Sequence, residues 1–228
     1  MLIGGFQKFS LVDYPGKICA IVFTQGCNFR CPYCHNPELV DFKHRKTNFN
    51  EEVFSFLEKR KGRLDAVEIT GGEPTLQQDI IEFLRRIKNM GYLVKIDSNG
   101  SYPTVIEKLI NLRIVDYLAL DIKAPLEKYQ EITHSNVNPS EIKKSIELIM
   151  ESGLNYEFRT TIVKSQLSKE DIVKIGKLIN GARLYVLQKF VASKVLDPNF
   201  LGEATYSDVE FKRLKSVLES YVAKCLIR

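Results

Sequence analysis

Ile18-Cys19-Ala20-Ile21-Val22-Phe23-Thr24 runs directly into Gln25-Gly26-Cys27-Asn28-Phe29-Arg30-Cys31-Pro32-Tyr33-Cys34, an apolar stretch of strand length followed by three cysteines. A short continuous apolar run bounded by Gly and Asn fits a strand buried on both faces, as in a parallel sheet. The cysteines then fall on a loop at the strand's C-terminal end. Three thiolates spaced in this way can wrap one face of an iron-sulfur cube, whereas a closed cluster ordinarily takes four. One iron would remain open to another ligand. Zinc is the competing reading, because His35 follows Cys34 and three cysteines with one histidine make a legitimate tetrahedral set. The triplet alone leaves both open.

The 228 residues, 44% of them hydrophobic, suffice for one sizeable core. An odd count of five cysteines and the lack of a signal-peptide pattern suit a reducing cytosol and argue against a disulfide framework. Cys19 reads as a buried small hydrophobe, and Cys225 has no ligand partner near it in sequence. No apolar stretch reaches membrane-spanning length. The net charge of +5 comes from dispersed Lys and Arg, apart from Lys43-His44-Arg45-Lys46, which reads as solvated surface. Without interleaved aromatics or a nucleic-acid module, no nucleic-acid partner is expected.

Outward from the opening stretch, apolar runs alternate with amphipathic ones. Strands are expected at Ile18 to Thr24, Ala66 to Thr70, Leu93 to Asp97, Tyr117 to Asp121, Tyr156 to Val163 and Leu184 to Phe190. Helices are expected at Asn50 to Arg60 with Asn50 as N-cap, Gln77 to Asn89, Pro103 to Asn111, Ser140 to Glu151, Ser168 to Asn180, and Ser207 to Lys224. The last would bury Val209, Leu214, Val217, Leu218 and Tyr221. Six strands with helical crossovers imply a parallel sheet curved into an arc; eight would close a barrel, six need not. Ligands of such folds gather at the strands' C-terminal ends. Cys27 to Cys34, Gly71-Gly72-Glu73-Pro74, Asp97 to Gly100 and Asp121-Ile122-Lys123 each follow a different strand.

The CxxxCxxC loop with Tyr33 before its last cysteine, Gly71 to Pro74 and Asp121-Ile122-Lys123 together resemble the radical S-adenosylmethionine (SAM) superfamily. Lys8-Phe9-Ser10-Leu11-Val12-Asp13-Tyr14-Pro15-Gly16-Lys17, Phe23 to Asn28 and Cys34-His35-Asn36-Pro37-Glu38-Leu39 are similar to the activating proteins of anaerobic ribonucleoside-triphosphate reductase. The resemblance implies a single α/β domain over 1–228: an N-terminal extension (1–16), a partial, open (β/α)6 TIM-like barrel (17–190), and a C-terminal segment with a helix (191–228). It implies an oxidoreductase that cleaves SAM at a 4Fe-4S cluster and makes a glycyl radical on the reductase. A flavodoxin- or ferredoxin-type donor would supply the electron, in the cytoplasm. A radical enzyme acting on a small molecule, similar to 7-carboxy-7-deazaguanine synthase, and a zinc-binding interaction module are the alternatives.

The implied cluster ligands are Cys27, Cys31 and Cys34. Gly71 and Gly72 would let backbone approach the methionyl group, Glu73 would accept from its ammonium, and Pro74 would fix the turn. Tyr33 would meet the adenine or shield the cluster. Asp121 and Lys123 share a strand face toward the mouth. Asp97, Ser98 and Asp121 would flank a monovalent cation, and Ser98 would also contact the cofactor. Arg159 would pair with the ligand carboxylate and Gln188 would meet the ribose. His35 is read as a neighbour that tunes the centre. His134 lacks a third partner for metal or acid chemistry, and Asn36 and Asn99 are turn residues or ligand contacts.

Overall fold

The computed structural model describes residues 1–42 and 49–228; the basic cluster at 43–46 lies outside them. Among the described residues eight strands form one sheet in chain order: β1 (Ile3–Ser10), β2 (Cys19–Thr24), β3 (Ala66–Gly71), β4 (Leu93–Ser98), β5 (Tyr117–Asp121), β6 (Asn155–Ile162), β7 (Tyr185–Lys189) and β8 (Cys225–Ile227). β1 runs antiparallel to β2, and every later pair is parallel. The six expected strands are β2 to β7. The structure adds one strand at each edge, and β1 and β8 leave the sheet open.

Parallel neighbours need long crossovers. These are supplied by α1 (Phe49–Lys59), α2 (Ile80–Asn89), α3 (Pro103–Asn111), α4 (Tyr129–Thr133) with α5 (Pro139–Glu151), α6 (Lys169–Leu178) and α7 (Asp208–Leu218). Ser168 and Ser207 each build a capping box, their hydroxyls accepting from the amides of Asp171 and Glu210 while those carboxylates accept in return. Asn50 is not the N-cap expected for α1: the helix begins at Phe49, and Asn50 Nδ2 donates to the Met1 carbonyl. The stretch from Gln77 opens later than expected, after a 3-10 turn at Pro74–Leu76.

The last helix also differs. It stops at Leu218, and the chain turns into β8, burying Cys225. Its buried face is Phe211, Leu214 and Leu218, while Val209 and Val217 are exposed. Contact with α6 sets that face: a β-carbon on Gly176 would lie 2.4 Å from Leu218 Cδ2.

Alternate strand residues divide the sheet into two faces. Val67, Ile69, Val94, Ile96, Leu118, Leu120, Phe158 and Leu187 join the main apolar core with the helices. On the opposite, inner face, Cys19, Ile21, Ala66 and Tyr117 form a small apolar cluster under Tyr14. Beyond them the inner face turns charged, with Glu68, Lys95, Asp97 and Glu157 all buried. Register sets Glu68 beside Lys95, Asp121 beside Arg159 and Thr161 beside Gln188.

Candidate active site

The inner face opens at the strands' C-terminal ends into a cavity of about 290 Å³. Cys27, Cys31 and Cys34 reach it from the loop after β2, and Thr70 to Glu73 from the end of β3. Asp97, Ser98 and Asn99 come from β4, Asp121 and Lys123 from β5, Arg159 and Thr161 from β6, and Gln188 from β7. Tyr33 also lines it. Pro74 does not: it is buried and starts the 3-10 turn. Thr70, Thr161, Phe29 and Val40 line the cavity although nothing in the sequence singles them out.

A buried ion network floors the cavity. Lys95 Nζ lies 2.9 Å from Glu68 and 2.6 Å from Asp97. Arg159 spans Asp97 at 2.8 Å and Asp121 at 2.7 Å, and Asp121 also pairs with Lys123 at 3.2 Å. Burial opposes ionisation of Asp97, yet Arg159 and Lys95 beside it hold its carboxyl well below the usual range. Asp121 is lowered likewise, against burial, by Arg159 and Lys123. Glu68 goes the other way: burial and the neighbouring Asp97 push its carboxyl up to about 9. Where a monovalent cation is expected between Asp97, Ser98 and Asp121, a fixed guanidinium already joins the two carboxylates, and the Ser98 hydroxyl donates to Glu73 at 2.8 Å.

The Gly-Gly-Glu segment, which lines the cavity, also has a role within the chain itself. A β-carbon on Gly71 would lie 2.4 Å from the Thr24 nitrogen, and one on Gly72 would lie 2.1 Å from the Gly26 carbonyl oxygen. The glycines therefore let two loops of the chain itself close on each other. Glu73, fully buried, accepts on Oε1 from the Thr75 amide, the Thr75 hydroxyl and Ser98, and on Oε2 from the Asn99 amide at 2.7 Å. Its carboxylate thus clamps the β3 and β4 loops together, with capacity for one further donor on Oε2.

The three site cysteines carry no disulfide. Burial pushes the Cys27 thiol up to about 11 and Cys31 up to about 12, and raises Cys34; the Lys123 charge acts on all three in the opposite sense. Thiolates in such a pocket need a cationic partner, and three soft sulfur donors around one cavity fit the separate irons of a 4Fe-4S cluster with one iron open. His35 is exposed and does not complete a zinc set. Its Nε2 lies 2.9 Å from the Val191 carbonyl oxygen, and its ring stacks on Phe190 with centroids 5.5 Å apart. Through these contacts, the Lys194–Glu38 pair at 2.6 Å and the Asp197 amide donating to the Pro32 carbonyl, the segment after β7 reaches back to the cysteine loop. The Tyr33 hydroxyl is buried without a hydrogen-bond partner among the described residues. His134 caps α4 in a left-handed conformation.

Residues 21–179 match the Radical SAM superfamily. The chain is 37% identical to a Methanocaldococcus jannaschii protein named provisionally as a glycyl-radical enzyme activating enzyme, an alignment covering 100% of this chain and 95% of that one. It is 33% identical to the pyruvate formate-lyase-activating enzyme of Clostridium pasteurianum, over 79% of this chain and 77% of the relative. Among solved structures it is similar to Streptococcus suis SuiB bound to S-adenosylmethionine, with a TM-score of 0.68 at 17% identity. That likeness is one of fold; it covers 90% of this chain, which spans about half (48%) of the longer SuiB chain.

Proposed function

Because the chain belongs to the radical SAM superfamily, and within it to the glycyl-radical enzyme activating enzymes, we propose that it removes a hydrogen atom from a glycine Cα of anaerobic ribonucleoside-triphosphate reductase. Its cofactors are a 4Fe-4S cluster and S-adenosylmethionine. When bound, this pair supplies one-electron reductive cleavage of the sulfonium, giving methionine and a 5′-deoxyadenosyl radical. The observation that carries the reading is the convergence of Cys27, Cys31 and Cys34 with Glu73, Asp121, Lys123 and Arg159 on one cavity.

In this reading Cys27, Cys31 and Cys34 would hold the cluster, leaving one iron open to the amino-acid end of the ligand. Glu73 Oε2 would accept from an N–H of the ligand's amino group, and Lys123 and Arg159 would present cationic groups to its carboxylate. Gln188 and Thr161 face the ribose, and the buried Tyr33 hydroxyl meets a polar atom of the adenine. β1 and β8 do not pair with each other, and an extended glycine-bearing segment would reach the cavity past the segment after β7 that crosses this gap to the cysteine loop. The segments Lys8 to Lys17 and Phe23 to Asn28 support the reductase as partner. We place the protein in the cytoplasm, with a flavodoxin- or ferredoxin-type donor; five thiols without a disulfide suit a reducing compartment.

The test is electron paramagnetic resonance on reconstituted, reduced protein mixed anaerobically with S-adenosylmethionine and the reductase. A glycyl doublet on the reductase is expected. A doublet only on pyruvate formate-lyase would reassign the partner, and ligand cleavage with no radical on either protein would overturn the activase reading.

A further inference from the structure

Beside the cavity, Asn28, Asn99 and Ser101 close a ring of hydrogen bonds that runs in one direction. Asn99 Nδ2 donates to Asn28 Oδ1 at 2.9 Å, Asn28 Nδ2 donates to Ser101 Oγ at 2.9 Å, and Ser101 Oγ donates to Asn99 Oδ1 at 2.6 Å. The Ser101 amide adds a second donor to Asn99 Oδ1 at 3.0 Å. An asparagine amide can usually be placed either way round. Here it cannot, because reversing it would set Nδ2 against the Ser101 amide and hydroxyl and Oδ1 against an acceptor. Nδ2 has two hydrogens, and the ring uses one. The same nitrogen lies 3.9 Å from Cys27 Sγ, within reach of a hydrogen bond to sulfur.

The backbone holds the ring in place. The Asn99 amide donates to Glu73 Oε2 at 2.7 Å, and the next carbonyl, that of Gly100, accepts from the Ser145 hydroxyl of α5 at 2.6 Å. Cys27 Sγ also receives the Phe29 amide at 3.4 Å.

We propose that Asn99 is a positioning residue for Cys27: its locked carboxamide directs an N–H at the sulfur, orients the thiolate and raises the reduction potential of the cluster it holds. Donors aimed at a metal-bound sulfur stabilise the added negative charge of the reduced state, and hydrogen bonds to cluster sulfurs are a recognised control of potential. The Gly-Gly-Glu segment thereby reaches the cluster indirectly, since Glu73 fixes the backbone that carries Asn99. The inference rests on the cluster assignment of the proposed function and is independent of which protein is the partner.

The experiment is a redox titration of the anaerobically reconstituted cluster, followed by electron paramagnetic resonance, in the wild type and in Asn99→Ala, Asn99→Asp and Ser101→Ala. Losing a hydrogen bond to a charged group corresponds to about a tenfold change in an equilibrium ratio. Asn99→Ala should therefore hold about tenfold less reduced cluster at a fixed potential. Asn99→Asp, which keeps the shape but turns an acceptor toward the sulfur, should hold less still. Ser101→Ala removes the hydroxyl from the ring while the residue 101 amide still holds Asn99 Oδ1, so it loosens the carboxamide and should give a smaller shift in the same direction with full iron content. Equal potentials in all four proteins overturn the proposal, as does loss of iron in both Asn99 variants with a wild-type potential in Ser101→Ala. Failure of the wild type itself to load iron would instead overturn the cluster assignment.

Discussion

Gly72 has no left-handed φ to explain it, so its requirement is one of contact: the 2.1 Å approach to the Gly26 carbonyl oxygen leaves no space for a methyl group. Gly72→Ala is expected to lower stability by about 1–3 kcal/mol through overpacking, and to reduce iron loading as the β2 and β3 loops part. Chemical denaturation and iron analysis of the reconstituted protein check both. Glu68 carries a different cost. Its Oε2 is buried without a hydrogen-bond partner among the described residues, and its carboxyl is pushed up to about 9, first by burial and then by Asp97. Between the ordinary carboxylate range and pH 9 the folded chain binds a proton at Glu68 that the unfolded chain has released, so this group's contribution to stability falls as pH rises. Glu68→Gln should flatten the decline between pH 5 and 9, read as denaturation midpoints across that range; an unchanged slope would contradict the assignment. Asp97 and Asp121, both lowered by Arg159, have the opposite sign, their contribution being lost in acid.

At the scale of elements, the strands were readable because their apolar runs match a sheet covered by helices, and the ends agree within a residue or two. Their alternation carries a second signal that the apolar reading passes over. Glu68, Lys95, Asp97, Glu157 and Arg159 occupy alternate positions along their strands and point to the inner face, where they pair with one another and, at Glu157, with Arg228. β8 escaped because Cys225 to Ile227 is too short to show a period; only its register with β7 makes it a strand. The capping boxes were legible as Ser followed three residues later by an acid. Ser168→Ala should cost about 1 kcal/mol and lower the melting temperature by about 2–4 °C, measured by thermal unfolding; no change would mean that α6 is held by packing alone.

On the scale of the whole molecule, folding sorts five cysteines into three that share a cavity and two that do not. Cys19 lies under Tyr14 at the strands' N-terminal end, and Cys225 lies on β8 in the main core. Anaerobic reconstitution of a Cys19→Ala, Cys225→Ala double variant should retain about four irons per chain, whereas Cys31→Ala should lose most of them. The sequence by itself determined the alternating α/β order, the cysteine loop at the end of β2 and most of the cavity lining, because periodicity and motif spacing are local properties of the chain. Tertiary structure alone decided that Gly71 and Gly72 serve loop packing, that Glu73 clamps two loops, that Arg159 bridges Asp97 and Asp121, and that Asn99 faces Cys27. Each of these depends on distances between residues far apart in sequence, which are set only when strand register and loop closure bring their side chains within hydrogen-bonding range.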